Sequence, residues 1–196
     1  MTNEPFIHYL LQFGSLNSQQ IELINASTTL KSYRTGDYFI QAGKTSTEIG
    51  FILSGIFRVC YYDSDGNEIT RYFIDERNFI ADLNSFNTGI PSTEYVQAVT
   101  DSEVLILTKP AMENLSKTIM IWDALMGKII VKALAEKVAK VSLMIPQDAS
   151  RRYAFFLENF PGLANRVPLQ YIAAYIGVTK SSLSRLRSNK PKKTDR

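Results

Sequence analysis

A chain of 196 residues, 45% hydrophobic and 21% charged, has the composition of a soluble globular protein built as one large domain or two small ones. No run of roughly 18 apolar residues occurs, which argues against a membrane span, and a single cysteine, Cys60, rules out an intrachain disulfide. The net charge of +3 is unevenly spread: residues 1–150 hold 12 Lys+Arg against 17 Asp+Glu, a balance of −5, while residues 151–196 hold 10 against 2, a balance of +8. A basic C-terminal quarter on an acidic body points to a polyanionic partner for that end. Met1-Thr-Asn-Glu-Pro lacks the basic and apolar regions of a signal peptide, so a reducing, cytoplasmic location is expected.

Between Pro5 and Ala26 apolar residues fall at helical spacing, Ile7, Leu10 and Leu11, then Ile21, Leu23 and Ile24. Asn17-Ser18 reads as a helix N-cap between them. From Thr29 to Leu107 short β-rich runs alternate with turns: Tyr38–Gln41, Ile49–Leu53, Ile56–Tyr62, Ile69–Ile74, Tyr95–Val99 and Val104–Leu107. Asp65-Gly66 between two of them is a hairpin signal, because such residues tolerate positive φ. This pattern predicts a sandwich or a small barrel.

Past Pro110, the stretch from Ile119 to Ile145 has no proline and carries Trp122, Leu125, Met126, Ile129, Ile130, Ala133, Leu134, Val138, Val141 and Ile145 in steps of three and four. Lys128, Lys132, Glu136 and Lys140 lie four apart on the opposite side, a solvated stripe. A helix of roughly 27 residues would span about 40 Å, and a seam shared between two copies accounts for that length, although a helix packed within its own monomer would look similar. Pro146 stops it. A second helix, Ala149 to Asn159, ends at Pro161-Gly162.

Leu169 to Arg187 then reads as a helix-turn-helix. Ile172, Ala173 and Ile176 share a face, Gly177 ends the first helix, Val178 is the buried turn residue and Thr179 caps the second helix. Leu183 and Leu186 pack back. Thr179, Lys180, Ser181, Ser182, Ser184, Arg185 and Arg187 are thereby candidates for DNA contact. Arg reads guanine edges, Ser reaches bases or phosphates, and Lys neutralises phosphate. Lys190, Lys192, Lys193 and Arg196 would add a salt-sensitive contribution. A three-helix packing unit with a solvated basic face would show the same apolar positions.

In this order the chain resembles the Crp/Fnr family of bacterial transcription regulators, through Gly36, Gly43, Gly55 and Gly66 in the β-rich part and Arg166-Val-Pro-Leu, Ile172–Thr179 and Ser182–Arg187 in the C-terminal part. The resemblance implies an α+β chain: an N-terminal β-roll, jelly-roll-like and of the cyclic-nucleotide-binding fold with flanking helices, over residues 1–118; a long dimerisation helix, 119–145; and a C-terminal all-α helix-turn-helix, 146–196. It also implies double-stranded DNA, a second copy of the chain and RNA polymerase as partners. Recognition-helix positions carry over to Thr179, Lys180, Ser181 and Arg185; Ser181 stands where the family prototype has Glu, so the base preference does not carry over.

Two departures from the family stand out. Ala81-Asp82-Leu83 replaces the family's Gly-Glu-Leu, and Ser92-Thr93 replaces an Arg-Ser pair, so the arginine that would hold a cyclic phosphate is missing. Those five residues mark the expected effector pocket, for a small molecule other than cyclic AMP or for none. Only nine residues follow Arg187, polar and basic, so no β-hairpin wing is expected. One cysteine and one histidine, His8, do not furnish an iron–sulfur, haem or zinc site, and no cofactor is assigned. No nucleophile–base set or phosphate loop is evident, so an enzyme is not expected. The alternative is a small-molecule sensor or protein-interaction module whose terminal unit has lost DNA binding.

Overall fold

A computed structural model describes residues 3–142 and 148–188, with the backbone alone for 139–142. Helices α1 (Glu4–Leu11) and α2 (Ser18–Ala26) open the chain. The Asn17 side chain accepts from the Gln20 N–H and the Gln20 side chain accepts from the Asn17 N–H, each at 2.9 Å. This reciprocal capping box fixes the start of α2 where the sequence puts it.

Eight strands follow: β1 (Thr29–Tyr33), β2 (Tyr38–Ile40), β3 (Glu48–Ser54), β4 (Phe57–Tyr62), β5 (Glu68–Ile74), β6 (Phe79–Ile80), β7 (Tyr95–Ala98) and β8 (Ser102–Thr108). They form two antiparallel four-stranded sheets, in the orders β1-β8-β3-β6 and β2-β7-β4-β5. Alternation puts Ile52, Val104 and Ile106 of one sheet against Phe57, Val59, Val96 and Ala98 of the other, all buried. That is the expected roll, with its interior filled by side chains. The β4–β5 hairpin turns through Gly66 at φ 80°, and the Asp63 carboxylate accepts from the Asp65 and Asn67 N–H groups at 3.0 and 2.8 Å. At the β3–β4 turn Gly55 has φ 102°, and a Cβ there would lie 2.0 Å from Ser102 Oγ, so only glycine lets the turn close against β8.

Helices α3 (Leu83–Thr88) and α4 (Lys109–Thr118) lie outside the sequence reading. Pro110 sits in the first turn of α4, where its missing N–H costs nothing. The expected long helix is corrected at its start. Ile119 is the extended C-cap of α4 (φ −108°, ψ 102°), and α5 runs from Trp122 to Ser142. Both Ile119 and Trp122 are buried in one core with Phe6, Leu10, Phe51 and Leu115; the extended backbone of Ile119 cannot continue the α-helical ladder, and the Trp122 N–H instead donates to the Ile119 carbonyl at 2.8 Å across the turn. Residues 143–145 of the expected helix lie outside the described residues.

The two halves of α5 differ. Trp122, Leu125, Met126 and Ile129 are buried against the roll and α1. Farther on, Val131, Leu134 and Val138 are 68%, 58% and 56% exposed. The lysine stripe is only partly solvated: Lys128 Nζ donates to the Phe13 carbonyl at 2.9 Å and Lys132 pairs with Glu136 at 3.8 Å. Helices α6 (Ala149–Asn159), α7 (Leu169–Ile176) and α8 (Lys180–Ser188) complete the described chain.

A candidate nucleic-acid interface

The C-terminal unit is built around its own apolar cluster. Phe156, Ile172, Ala173, Ile176 and Leu183 are at most 2% exposed. Ala173 is small enough for α7 and α8 to cross closely. Gly177 adopts φ 70°, ψ 43°, and its N–H bonds to the Ala173 carbonyl. The left-handed cap turns the chain sharply, and only glycine takes it without strain. Thr179 Oγ1 then accepts from the Ser182 N–H at 3.2 Å, starting α8. Val178 packs at the edge of this cluster and is half-buried rather than fully buried.

Packing Leu183 inward decides what α8 presents outward. Thr179, Lys180, Ser181, Ser184, Arg185 and Arg187 are all exposed, while Ser182 is half-buried. The Thr179 hydroxyl shares hydrogen bonds with Ser181 and Ser182, at 3.0 and 2.9 Å, so Thr179 and Ser182 are partly spent on the cap. Lys180, Ser184, Arg185 and Arg187 have their functional groups open, and among the described residues no salt bridge holds any of these three cations. A helix carrying Arg, Lys and Ser on one open face, without a neutralising carboxylate, is chemically suited to base edges and phosphates in a major groove. The basic tail and the expected missing wing fall at residues 189–196, outside the described residues.

The unit is seated on the outer face of the β2-β7-β4-β5 sheet. Phe73 of β5 meets Phe156 and Tyr175 at ring distances of 6.1 and 5.5 Å, with Ile56 and Val99 in the same cluster. Burial pushes the Tyr175 hydroxyl up to about 12. Arg166 holds Glu76 through two N–H groups, one at 3.1 Å, and Glu76 also accepts from the Gly55 N–H at 2.9 Å. Nearby on the sheet, Glu68 binds the buried Arg58.

These carboxylates make the seat pH-sensitive. Hydrogen bonds from Arg58 hold the Glu68 carboxyl below its ordinary value, outweighing burial. Burial pushes Glu76 up, but the Arg166 and backbone N–H bonds more than offset it, and its carboxyl is also held low. Groups with lowered folded values stabilise fully above the ordinary glutamate value, about 4.3, and that contribution is lost as pH falls through it toward the folded values. The thermal midpoint of the C-terminal unit is expected to drop between roughly pH 5 and pH 3. Glu68→Gln with Glu76→Gln should flatten the drop; an unaltered slope would contradict this origin.

Of the five expected effector residues, Ala81 and Asp82 precede α3, Leu83 is its first residue, and Ser92 and Thr93 lie in the loop beyond it. Asp82 is the N-cap of α3, its carboxylate accepting from the Ser85 N–H at 3.0 Å. The Ser92 hydroxyl donates to the Glu94 carbonyl at 3.0 Å. Leu83 and Thr93 are exposed and Ala81 is half-buried. The polar groups meant for a ligand are thus engaged in holding the loop. Sequence reasoning missed Ser85, whose hydroxyl accepts from the Ser46 N–H at 2.8 Å and ties α3 to the β2–β3 loop. It also missed the Arg166–Glu76 pair, whose partners lie 90 residues apart.

Residues 30–118 match the cyclic nucleotide-binding domain family. No curated protein matches the chain by sequence. Several solved structures share its fold. FixK2 from Bradyrhizobium japonicum superposes with a TM-score of 0.70 at 18% identity, over 82% of this chain and 83% of that one. The c-di-GMP responsive global regulator CLP from Xanthomonas campestris gives 0.70 at 17%, over 88% and 90%. The catabolite activator protein of Thermus thermophilus gives 0.57 at 18%, over 92% and 85%.

Proposed function

We propose that this chain, whose fold is that of the Crp/Fnr regulators, is a homodimeric, DNA-binding transcription regulator acting in the cytoplasm, with RNA polymerase as a further partner. The observation that carries the reading is the open face of α8, where Lys180, Ser184, Arg185 and Arg187 project with no acidic partner among the described residues, over a helix pair whose other face is closed by Leu183. Residues 1–118 would form the sensor, the segment 119–145 that carries α5 the dimer contact, and 146–196 the reader. Two readers would enter successive major grooves about 34 Å apart.

Exposed Val131, Leu134 and Val138 support the dimer. Burying each such side chain against a partner contributes about 1.5–3 kcal/mol. Leu134→Asp is expected to convert the dimer to monomer in analytical ultracentrifugation; an unchanged sedimentation coefficient would contradict this seam. A gel-shift with duplexes enriched from a random pool tests the whole reading, and the expected result is a preferred site bound at moderate salt. No preference would favour the sensor or interaction-module reading. The effector, where one acts, is a small molecule other than cyclic AMP: Ala81, Asp82, Leu83, Ser92 and Thr93 bring no cation to a phosphate. The c-di-GMP responsiveness of CLP, a protein of the same fold, is in keeping with a varied effector.

A further inference from the structure

We infer that Arg58, a strand residue of the roll, is a positioning residue for the DNA-reading helix, acting through Tyr171. The inference rests on the DNA-binding reading for its consequence and on the following geometry for its existence. Phe57 and Val59 point between the sheets, so Arg58 between them points to the outer face of β4. It is nevertheless only 2% exposed.

A buried guanidinium needs acceptors for its five N–H groups, and the roll supplies them all. Nε donates to Gln97 Oε1 at 3.0 Å. Nη2 donates to Gln97 Oε1 at 2.6 Å and to Glu68 Oε2 at 2.7 Å. Nη1 donates to Glu68 Oε1 and to Thr70 Oγ1, the latter at 3.3 Å. Glu68 and Thr70 belong to β5 and Gln97 to β7, so three adjacent strands lock the plane of one side chain.

With its edges saturated, the guanidinium has only its faces left to offer. Tyr171 of α7 takes one, with Arg58 Cζ 3.7 Å from the ring centroid. This stack ties α7 itself to the sheet through a cation. The apolar contacts around Phe73 hold the C-terminal unit down but are non-directional; a planar cation fixed by three strands also fixes where the ring rests. Because α7 and α8 share Ala173, Ile176 and Leu183 in one core, the pose of α7 is the pose of α8. The open face of α8 stays exposed in this seat, so the contact orients the reader without blocking it.

The experiment uses the full-length protein with spin labels at Asn25 of α2 and Ser188 of α8, both exposed, diluted with unlabelled chain; Cys60 is buried and is not labelled. Wild type is expected to give a narrow label–label distance distribution. Tyr171→Ala should broaden it, and Arg58→Lys should do the same, since one ammonium cannot serve all these acceptors and stack. Tyr171→Phe should restore the narrow distribution. Affinity for the preferred duplex should fall roughly tenfold in Tyr171→Ala if the correct pose drops to about a tenth of the population, with an unchanged salt slope because no phosphate contact is lost. A Tyr171→Ala distribution as narrow as wild type overturns the inference. Should wild type bind no preferred duplex, the DNA reading falls, and the distance widths still decide the seat on their own.

Discussion

Arg185→Ala is expected to weaken binding to the preferred duplex by about 1–3 kcal/mol, about 5- to 150-fold, while leaving the thermal midpoint of the protein unchanged. Arg185 lies on the open side of α8, between Ser184 and Leu186, and no carboxylate pairs with it among the described residues. Its removal therefore breaks nothing in the folded chain. Its worth appears only when a groove supplies guanine O6 and N7 as paired acceptors. The loss should be larger on the preferred site than on random duplex, relaxing specificity at one base position. Lys180→Ala, at the start of the same helix, should weaken both duplexes alike and reduce the salt slope by about 1. Gel-shift titrations of both variants on both duplexes separate the roles. Equal losses for Arg185→Ala on both would assign Arg185 to phosphate rather than base.

Phe156→Ala is expected to cost about 3–5 kcal/mol, most of the stability of a small helical unit. Phe156 is fully buried and touches the rings of Phe73, Phe160 and Tyr175 at 6.1, 5.5 and 5.7 Å. It belongs at once to the interior of the helix-turn-helix unit and to its seat on the sheet. The cavity left behind cannot refill from α7, whose neighbouring side chains already pack there. Circular dichroism should show early loss of helix. The single tryptophan, Trp122, sits in the separate core under α1 and α5, so its emission should stay native through that first transition. A wild-type midpoint would contradict the place given to Phe156.

Much of this was legible in the sequence, for identifiable reasons. The capping box at Asn17, the glycine at 66 and the glycine at 177 are local devices, and each turned the chain where local chemistry said it would. Short β-rich runs between turns marked a sandwich or small barrel for the same reason, and the resemblance narrowed it to a roll. The failures are non-local. The break between α4 and α5 lies in the extended backbone of Ile119; Ile119 and Trp122, three apart, would share a face of a continuous helix as well, so helical periodicity does not register it. Strand β6 is two residues long and pairs with β3, too short to carry a pattern. The seat of the C-terminal unit depends on Arg58 with Tyr171 and on Glu76 with Arg166, pairs distant in sequence. One signal was available: an arginine inside the apolar run Ile56-Phe-Arg-Val-Cys60 is out of place in a strand unless something covers it. For the expected effector loop, the hydrogen bonds of Asp82 and Ser92 go to the loop itself, which residue identity does not disclose.

Two copies of α8 are expected to read one duplex together. Hydroxyl-radical footprinting of the full-length protein on its enriched duplex tests this most directly. Two protected patches related by a two-fold axis are expected, with centres about 10 base pairs apart, both lost together in Leu134→Asp. A single patch unaffected by Leu134→Asp, or uniform protection along the duplex, would contradict it.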